Sequence, residues 1–455
     1  MLNARLQLLR ESLQKLLRRS ADGHVERLLG RTRSEDVAVV MRFLDERQQT
    51  RVFELLPHDE ARAEILAEVD EHLVDDLIAH RSVSELKPVI AAMNADDQAD
   101  ILALLPAELR TGLIDALRPA EKEELEELLH YDAETAGGIM SPQFFALPSS
   151  TAVSEAISAL QASADVEMAF YIYVVNEPGH LVGVVSLRAL VTHPPDTTLE
   201  TLMVSDVISV ATNTDQEEVA RLAARYNLLA IPVVDEGNCL VGIVTIDDVI
   251  DVIREEATED ILKMAGADET AYENNSIMRN FRTRAPWLFA TWLGGLSASV
   301  LISTFEHHLQ ATVALAAFIP IVLGMGGNVG IQTATIIVRG LATGHVSEGV
   351  GMQYLFRETL IGVFLGLLYG ALIGAYTAVA YGETATVMEL ALTVGISVLA
   401  SMASSAAVGA FTPLLFHRMR IDPAIATGPI VTTSVDVLGI LVYFWTATLI
   451  LGLPT

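Results

Sequence analysis

Cysteine is almost missing from this sequence. Cys239 stands alone in 455 residues, which excludes an intramolecular disulfide framework and fits a reducing compartment. Basic residues are scarce too: 29 Lys and Arg face 58 Asp and Glu, for a formal net charge of −29. That deficit argues against nucleic acid as a partner and for multivalent cations, with simple solubility as the bland alternative. The opening Met-Leu-Asn-Ala-Arg-Leu-Gln-Leu-Leu-Arg lacks an unbroken apolar core and a cleavage pattern, so it reads as a basic amphipathic helix and not as a signal peptide. No phosphate loop or acylphosphate Asp motif is present to power pumping. Nothing points to catalysis, and the chain is not expected to be an enzyme.

The missing bases are unevenly spread. After residue 280 only seven of the 58 acids and six of the 29 bases remain, so the first 280 residues hold 51 acids and 23 bases, a net of −28. An acidic soluble half therefore precedes an almost uncharged apolar half.

Residues 1–132 contain no run that alternates as a strand would. Apolar residues recur at three and four, the helical period. Val37, Val40, Met41, Leu44, Val52, Leu55, Leu56 and Pro57 align, at a spacing of 49, on Leu86, Val89, Ile90, Met93, Ile101, Leu104, Leu105 and Pro106. Such a repeat predicts helix pairs stacked as a short superhelix, since one pair cannot bury its own face. Asn94-Ala-Asp96-Asp97-Gln-Ala-Asp100 reads as a helix start, with Asn94 as cap and acids in the first turn. A metal role for those acids needs an acidic surface opposite.

From Tyr131 the pattern changes to two similar α/β units. Tyr173-Val-Val then Leu181-Val-Gly-Val-Val-Ser recurs as Pro232-Val-Val then Leu240-Val-Gly-Ile-Val-Thr, 59 residues later. The order of elements resembles a tandem pair of CBS domains, which start at Met140-Ser-Pro and Leu202-Met-Val. That resemblance implies a regulatory module able to bind an adenine nucleotide such as ATP. Thr245 and Asp248 match the family's ribose-binding pattern of a hydroxyl followed three residues later by an acid. The first unit has Ser186-Leu-Arg188-Ala189 there and lacks the acid, so one nucleotide per chain is expected, with Arg188 toward its phosphates.

Acids then crowd together: Asp248, Asp251, Glu255, Glu256, Glu259, Asp260, Asp268 and Glu269. Asp248, Asp251 and Glu255 fall at i, i+3 and i+7 of one helix face; Glu256, Glu259 and Asp260 form a second group. Like charges at those spacings cost a few tenths of a kcal/mol per pair. A solvated face is the ordinary explanation, but the run lies between the regulatory pair and the membrane half, where a charge-sensitive connector is expected.

Five apolar segments follow, near 286–305, 311–339, 358–381, 387–416 and 424–452. All six Arg flank the first segment's start or lie in the second-to-third and fourth-to-fifth loops. The other two loops carry Glu306, Glu383 and Glu389 and no base. The positive-inside rule therefore puts the N-terminus in the cytoplasm and the C-terminus outside, as five crossings require. The second segment contains Gly324-Met-Gly-Gly-Asn-Val-Gly-Ile-Gln332. Glycines at that density are not selected for helix stability; they allow close helix contact or expose carbonyls to a water-filled path. Asn328 and Gln332, at i and i+4, favour the path. In the fifth segment Asp436 sits mid-span, preceded by Thr432 and Thr433 and flanked by Gly428, Pro429 and Gly439. An acid at that depth costs about 2.5–3.5 kcal/mol on insertion scales, so it should face a bundle interior or an aqueous path.

The whole order resembles the MgtE family of magnesium channels: acidic helical domain, CBS pair, acidic connector and five membrane segments. Its most specific pieces are Gly324…Gln332 and Asp422-Pro-Ala…Thr432-Thr-Ser-Val-Asp436-Val-Leu-Gly439. The resemblance implies a multidomain fold with a helical superhelix at 1–132, CBS domains at 133–198 and 199–254, a connecting helix at 255–282 and a transmembrane pore domain at 283–455. It implies a homodimer in the cell inner membrane with its pore between subunits, lined by Gly324, Gly327, Asn328, Gln332, Thr432, Thr433, Asp436 and Gly439. Magnesium would enter the cytoplasm down its electrochemical gradient, with Asp436 binding the hydrated ion. Regulatory magnesium would be held by Asp96, Asp97, Asp100, Asp215, Glu218, Asp248, Asp251, Glu256, Glu259 and Asp260. Arg221 and Arg225 depart from the pattern where another acid is expected. Two other classes stay in view: a membrane-anchored nucleotide sensor, opposed by Asp436 and the glycine segment, and a CBS-regulated anion channel, opposed by the scarcity of membrane bases.

Overall fold

The structure, a computed structural model, describes residues 4–78, 81–163, 170–177, 179–267, 277–346, 349–382 and 386–452. Asp268, Glu269, Glu348 and Glu383 lie outside the described residues. The chain divides into two compact units, Met1–Arg254 and Glu255–Thr455.

In the first unit the 49-residue repeat appears in the helices themselves. Ser34–Met41 and Glu46–Glu54 correspond to Val83–Ile90 and Ala95–Leu104. Local chemistry fixes their starts. Asp45 accepts the Gln48 N–H at 2.9 Å, and Glu85 accepts the Ser82 N–H at 2.9 Å; each such cap is worth about 1 kcal/mol. Val37, Val40, Met41, Val52, Leu86, Val89 and Ile90 are buried, so the repeat register is the core register.

Two three-stranded sheets follow, each with one parallel and one antiparallel pairing. β1 (Ala146–Pro148), β2 (Tyr171–Val175) and β3 (Leu181–Ser186) form one; β4 (Val210–Ala211), β5 (Ala230–Val234) and β6 (Leu240–Thr245) form the other. A register shift between Val174 and Val175 recurs between Val233 and Val234, at the same 59-residue spacing as the sequence repeat. The lead-in segments are exchanged. A Cβ on Gly183 would lie 2.6 Å from Met203 Sδ, and one on Gly242 would lie 2.6 Å from Met140 Sδ. Each unit's glycine thus receives the methionine that introduces the other. The second CBS unit shares one hydrophobic core with the N-terminal helices, through Val219, Ile231, Val244, Val249 and Val252, whereas the first builds its own around Phe145, Ile172 and Leu190.

Among its described residues the second unit has five helices long and apolar enough to cross a membrane: Asn280–Thr304, Ala314–Ala342, Gly351–Ala380, Val387–Arg418 and Pro423–Leu451. The third begins seven residues before its apolar segment, because Met352 to Arg357, interrupted by the polar Gln353 and Arg357, continue the helix. Third and fourth helices meet through small residues. A Cβ on Gly366 would come within 2.8 Å of Leu399 Cα, and one on Gly395 within 2.8 Å of the Gly370 carbonyl, a spacing reserved for small residues in membrane seams. The architecture is the expected one: an all-helical first domain, an α/β CBS pair and a helical membrane domain.

Candidate functional site

The last membrane helix is broken near its start. Pro423–Thr427 ends at Gly428, and Pro429–Leu451 runs from there to the end of the span. Thr432 donates its hydroxyl to the Gly428 carbonyl at 3.0 Å, and Asp436 follows one turn later on the same face. Asp436 is partly buried and is the fourteenth of 29 residues in its span. At 1.5 Å per residue that is about 20 Å from either end, mid-membrane. Thr433 points another way: a Cβ on Gly294 of the first helix would collide with it.

The glycine-rich helix has two faces. Gly326 and Gly330 are buried, and their missing side chains admit the neighbours. A Cβ on Gly326 would lie 2.6 Å from Ser401 Oγ and 3.0 Å from Ser405 Oγ, and one on Gly330 would lie 3.0 Å from Val435. Gly324 and Gly327 have nothing within 4 Å of that position, and Asn328 and Gln332 are exposed on the described chain. The motif therefore combines close contact on one face with an open polar face on the other. Gly439 differs from its expected pore-lining place. It is buried, with Leu323 Cδ2 and Ser401 Oγ at 3.1 and 3.4 Å from where a Cβ would stand, and works as a helix contact.

In the first unit, Thr245 lies at the start of the helix Ile246–Met264. Its Oγ1 is 2.5 Å from both Asp247 Oδ1 and Asp248 Oδ2, so one hydroxyl proton serves two carboxylates. Burial raises the Asp248 pKa to about 7 against the pull of those hydrogen bonds, with the charges of Asp96 and Asp247 adding to the rise. Burial also raises Asp96, whose Oδ1 is buried without a hydrogen-bond partner among the described residues. Two elements far apart in sequence thus bring Asp96 against Asp247 and Asp248. A second like-charge contact involves Glu68, raised by burial, then by Asp251 and Glu35, against the opposing charges of Arg42 and Arg254.

Other expected residues are placed differently. Asp215 accepts the Glu217 N–H at 2.9 Å as a helix cap, and Glu218 is ion-paired with Arg221. That pair accounts for Arg221, one of the two bases found where an acid was expected. Asp97 lies in the first turn after Asn94; Asp100 is exposed further along that helix. Arg188 is exposed on the short helix Leu187–Thr192. Glu256, Glu259 and Asp260 follow on the connector helix, and burial raises Asp260, as does Asp422. Among the described residues no three His, Cys, Asp or Glu side chains form a ready-made metal cluster. Asp96 meets Asp247 and Asp248, and Glu68 meets Asp251, as like-charge contacts instead, a donor set that a hydrated divalent ion would fit.

Sequence reasoning missed Glu35, Glu68 and Asp247, whose part depends on contacts across the fold. It also missed how Thr135–Gly137 docks on the second CBS unit: Ala136 and Gly137 donate their N–H groups to the Thr214 and Thr212 carbonyls at 2.7 and 2.8 Å.

A family model described as divalent cation transporter, MgtE, matches residues 319–446; one for the MgtE intracellular N domain matches 32–134, and one for the CBS domain matches 136–196 and 199–255. The chain is 34% identical over 417 residues to the magnesium transporter MgtE of Bacillus subtilis, covering 91% of each. It is 35% identical over 447 residues to that of Thermus thermophilus, covering 97% of this chain and 98% of the relative. The crystal structure of the cytosolic domain of the Mg2+ channel MgtE in complex with ATP is 36% identical with a TM-score of 0.51, covering 53% of this chain and 99% of that one.

Proposed function

The chain belongs to the MgtE family of divalent cation transporters, and on that premise we propose that it carries magnesium into the cytoplasm down its electrochemical gradient. The observation that carries this reading is Asp436, mid-membrane on a helix face with Thr432, beside a second helix whose Gly324, Gly327, Asn328 and Gln332 present an open polar face. Magnesium gives up its waters reluctantly, so a path for it should offer acids and carbonyls to a hydration shell. Two copies around an axis would bring two Asp436 carboxylates to one hydrated ion, which is why we place the pore in a homodimer. The loop arginines orient the acidic half toward the cytoplasm of the cell inner membrane.

Gating belongs to the acidic half. Regulatory magnesium between Asp96 and Asp248, and between Glu68 and Asp251, would relieve the like charges there and hold the helical domain against the second CBS unit. Thr245 and Asp248 also present a hydroxyl and a carboxylate to a ribose, so ATP or another adenine nucleotide is the second regulatory ligand. The solved relative in complex with ATP supports that choice.

Reconstitution tests the conduction claim. Asp436→Asn keeps the shape and removes the charge, and is expected to lower magnesium influx into dye-loaded liposomes at least tenfold while the protein still assembles. Undiminished influx through a correctly folded variant rejects the pore assignment.

A further inference from the structure

The connector helix carries a lysine one residue before its end at Met264. Lys263 Nζ lies 2.5 Å from Glu259 Oε1, one turn back, and 2.8 Å from Asp422 Oδ2, 159 residues further on. Asp422 is fully engaged: its Oδ1 accepts the Ala424 N–H at 2.7 Å and caps the short helix before Gly428. Burial lowers the ammonium's pKa, but the hydrogen bonds it donates to Asp422 and Glu259 outweigh that, so the group is held as a cation. Asp260 stands within the field of Asp422, Lys263 and Arg339, the last a residue of the second membrane helix. The joint therefore holds three carboxylates against a lysine that touches two of them.

Backbone contact marks the same joint. A Cβ on Gly428 would stand 3.4 Å from the Met264 carbonyl and 3.7 Å from that of Lys263. The connector's end thus rests on the break in the last helix. From there Thr432 bonds back to Gly428, and Asp436 lies eight residues, or about 12 Å of helix, beyond the break.

We propose that Lys263 is a tethered cation that occupies the connector–pore joint when divalent cation is scarce, so that an ion engaging Glu259 and Asp422 must displace its ammonium. This rests on the reading that cytoplasmic magnesium gates the chain. An ammonium within 2.8 Å of both carboxylates competes with any second cation for the same oxygens. The consequence is twofold. The joint stays closed without metal, unlike the like-charged faces of the first unit, and competition raises the magnesium concentration needed to act there.

The test is closure of the full-length channel by magnesium applied to its cytoplasmic face in excised patches. Removing one unit charge about 4 Å from a divalent ion in a partly exposed joint changes affinity roughly tenfold. K263M is therefore expected to close at about one tenth of the wild-type magnesium concentration, and K263R to stay within about twofold of wild type. In K263M/D422N, where both charges are gone, most of that gain should vanish, since the coupling belongs to the pair. K263Q replaces K263M should the latter not assemble. A K263M or K263Q midpoint equal to wild type, in a channel that still closes with magnesium, overturns the competition and leaves gating intact. A wild-type channel indifferent to cytoplasmic magnesium overturns both.

Discussion

Asp248 is drawn two ways. Thr245 offers it a hydroxyl at 2.5 Å and a backbone N–H at 3.3 Å, while burial and two neighbouring acids oppose its charge. Asp251, one turn later, is exposed. If the first arrangement holds a ribose, Asp248→Ala should weaken adenine-nucleotide binding to the full-length protein at least tenfold, and Asp251→Ala less than threefold. Titration calorimetry checks this, and equal effects of the two variants would reject the ribose role. Half of the arrangement was legible in the sequence, because a hydroxyl and an acid three apart at a helix start meet by local geometry. The contribution of Asp96 was not. It depends on the N-terminal helices and the second CBS unit sharing a core, a long-range fact that no local pattern encodes. Glu35 and Glu68 were hidden for the same reason, being two acids among many until the fold set them near Asp251.

Among the elements, the second membrane helix shows what a motif leaves undecided. Its glycine density was visible as a departure from helix preference, but two explanations, contact and path, stood side by side. Only the phase of the fourth helix separates them. Ser401 and Ser405 press on Gly326, and Gly409 meets the Gly330 backbone, which leaves Gly324 and Gly327 open. The difference predicts opposite outcomes for one substitution. Gly409→Ala would drive a methyl into the Gly330 carbonyl, and overpacking of that kind costs about 1–3 kcal/mol. It should lower the thermal midpoint of the purified protein by several degrees. Gly324→Ala meets no neighbour and should leave that midpoint unchanged or higher, while lowering influx if the open face lines the ion's path. A melt in which both variants behave alike would refute the two-faced reading. The break at Gly428 was foreshadowed by Gly428-Pro429, yet its docking against Lys263 and Met264 was not, since nothing in the sequence ties residues so far apart.

At the scale of the molecule, the first 280 residues carry a net charge of −28, and the fold turns part of it inward. Asp248, Asp96 and Glu68 all sit above the ordinary carboxylate range, burial first and acidic neighbours after it. When the helical domain separates from the second CBS unit, these groups regain water and return to that range. The compact arrangement therefore binds more protons than the open one. Linkage fixes the sign: the compact form gains as pH falls through about 7 toward the ordinary carboxylate value near 4, and is penalised above it. Each extra proton is worth on the order of 1 kcal/mol per pH unit across that window. Protons and magnesium thus answer the same charge contacts, and each should reduce the need for the other. Limited proteolysis should read this at the Tyr131–Met140 linker, where Ala136 and Gly137 donate to the Thr214 and Thr212 carbonyls in the compact form. At about pH 8, chelator should expose the linker and millimolar magnesium should protect it; at about pH 6 the linker should be largely protected even in chelator. Asp248→Asn, neutral at every pH, should make the chelator-treated protein resistant at both. If magnesium protects equally well at both pH values and chelator exposes the linker equally at both, these carboxylates do not face one another in the gating transition and the acidic surface is merely solvated.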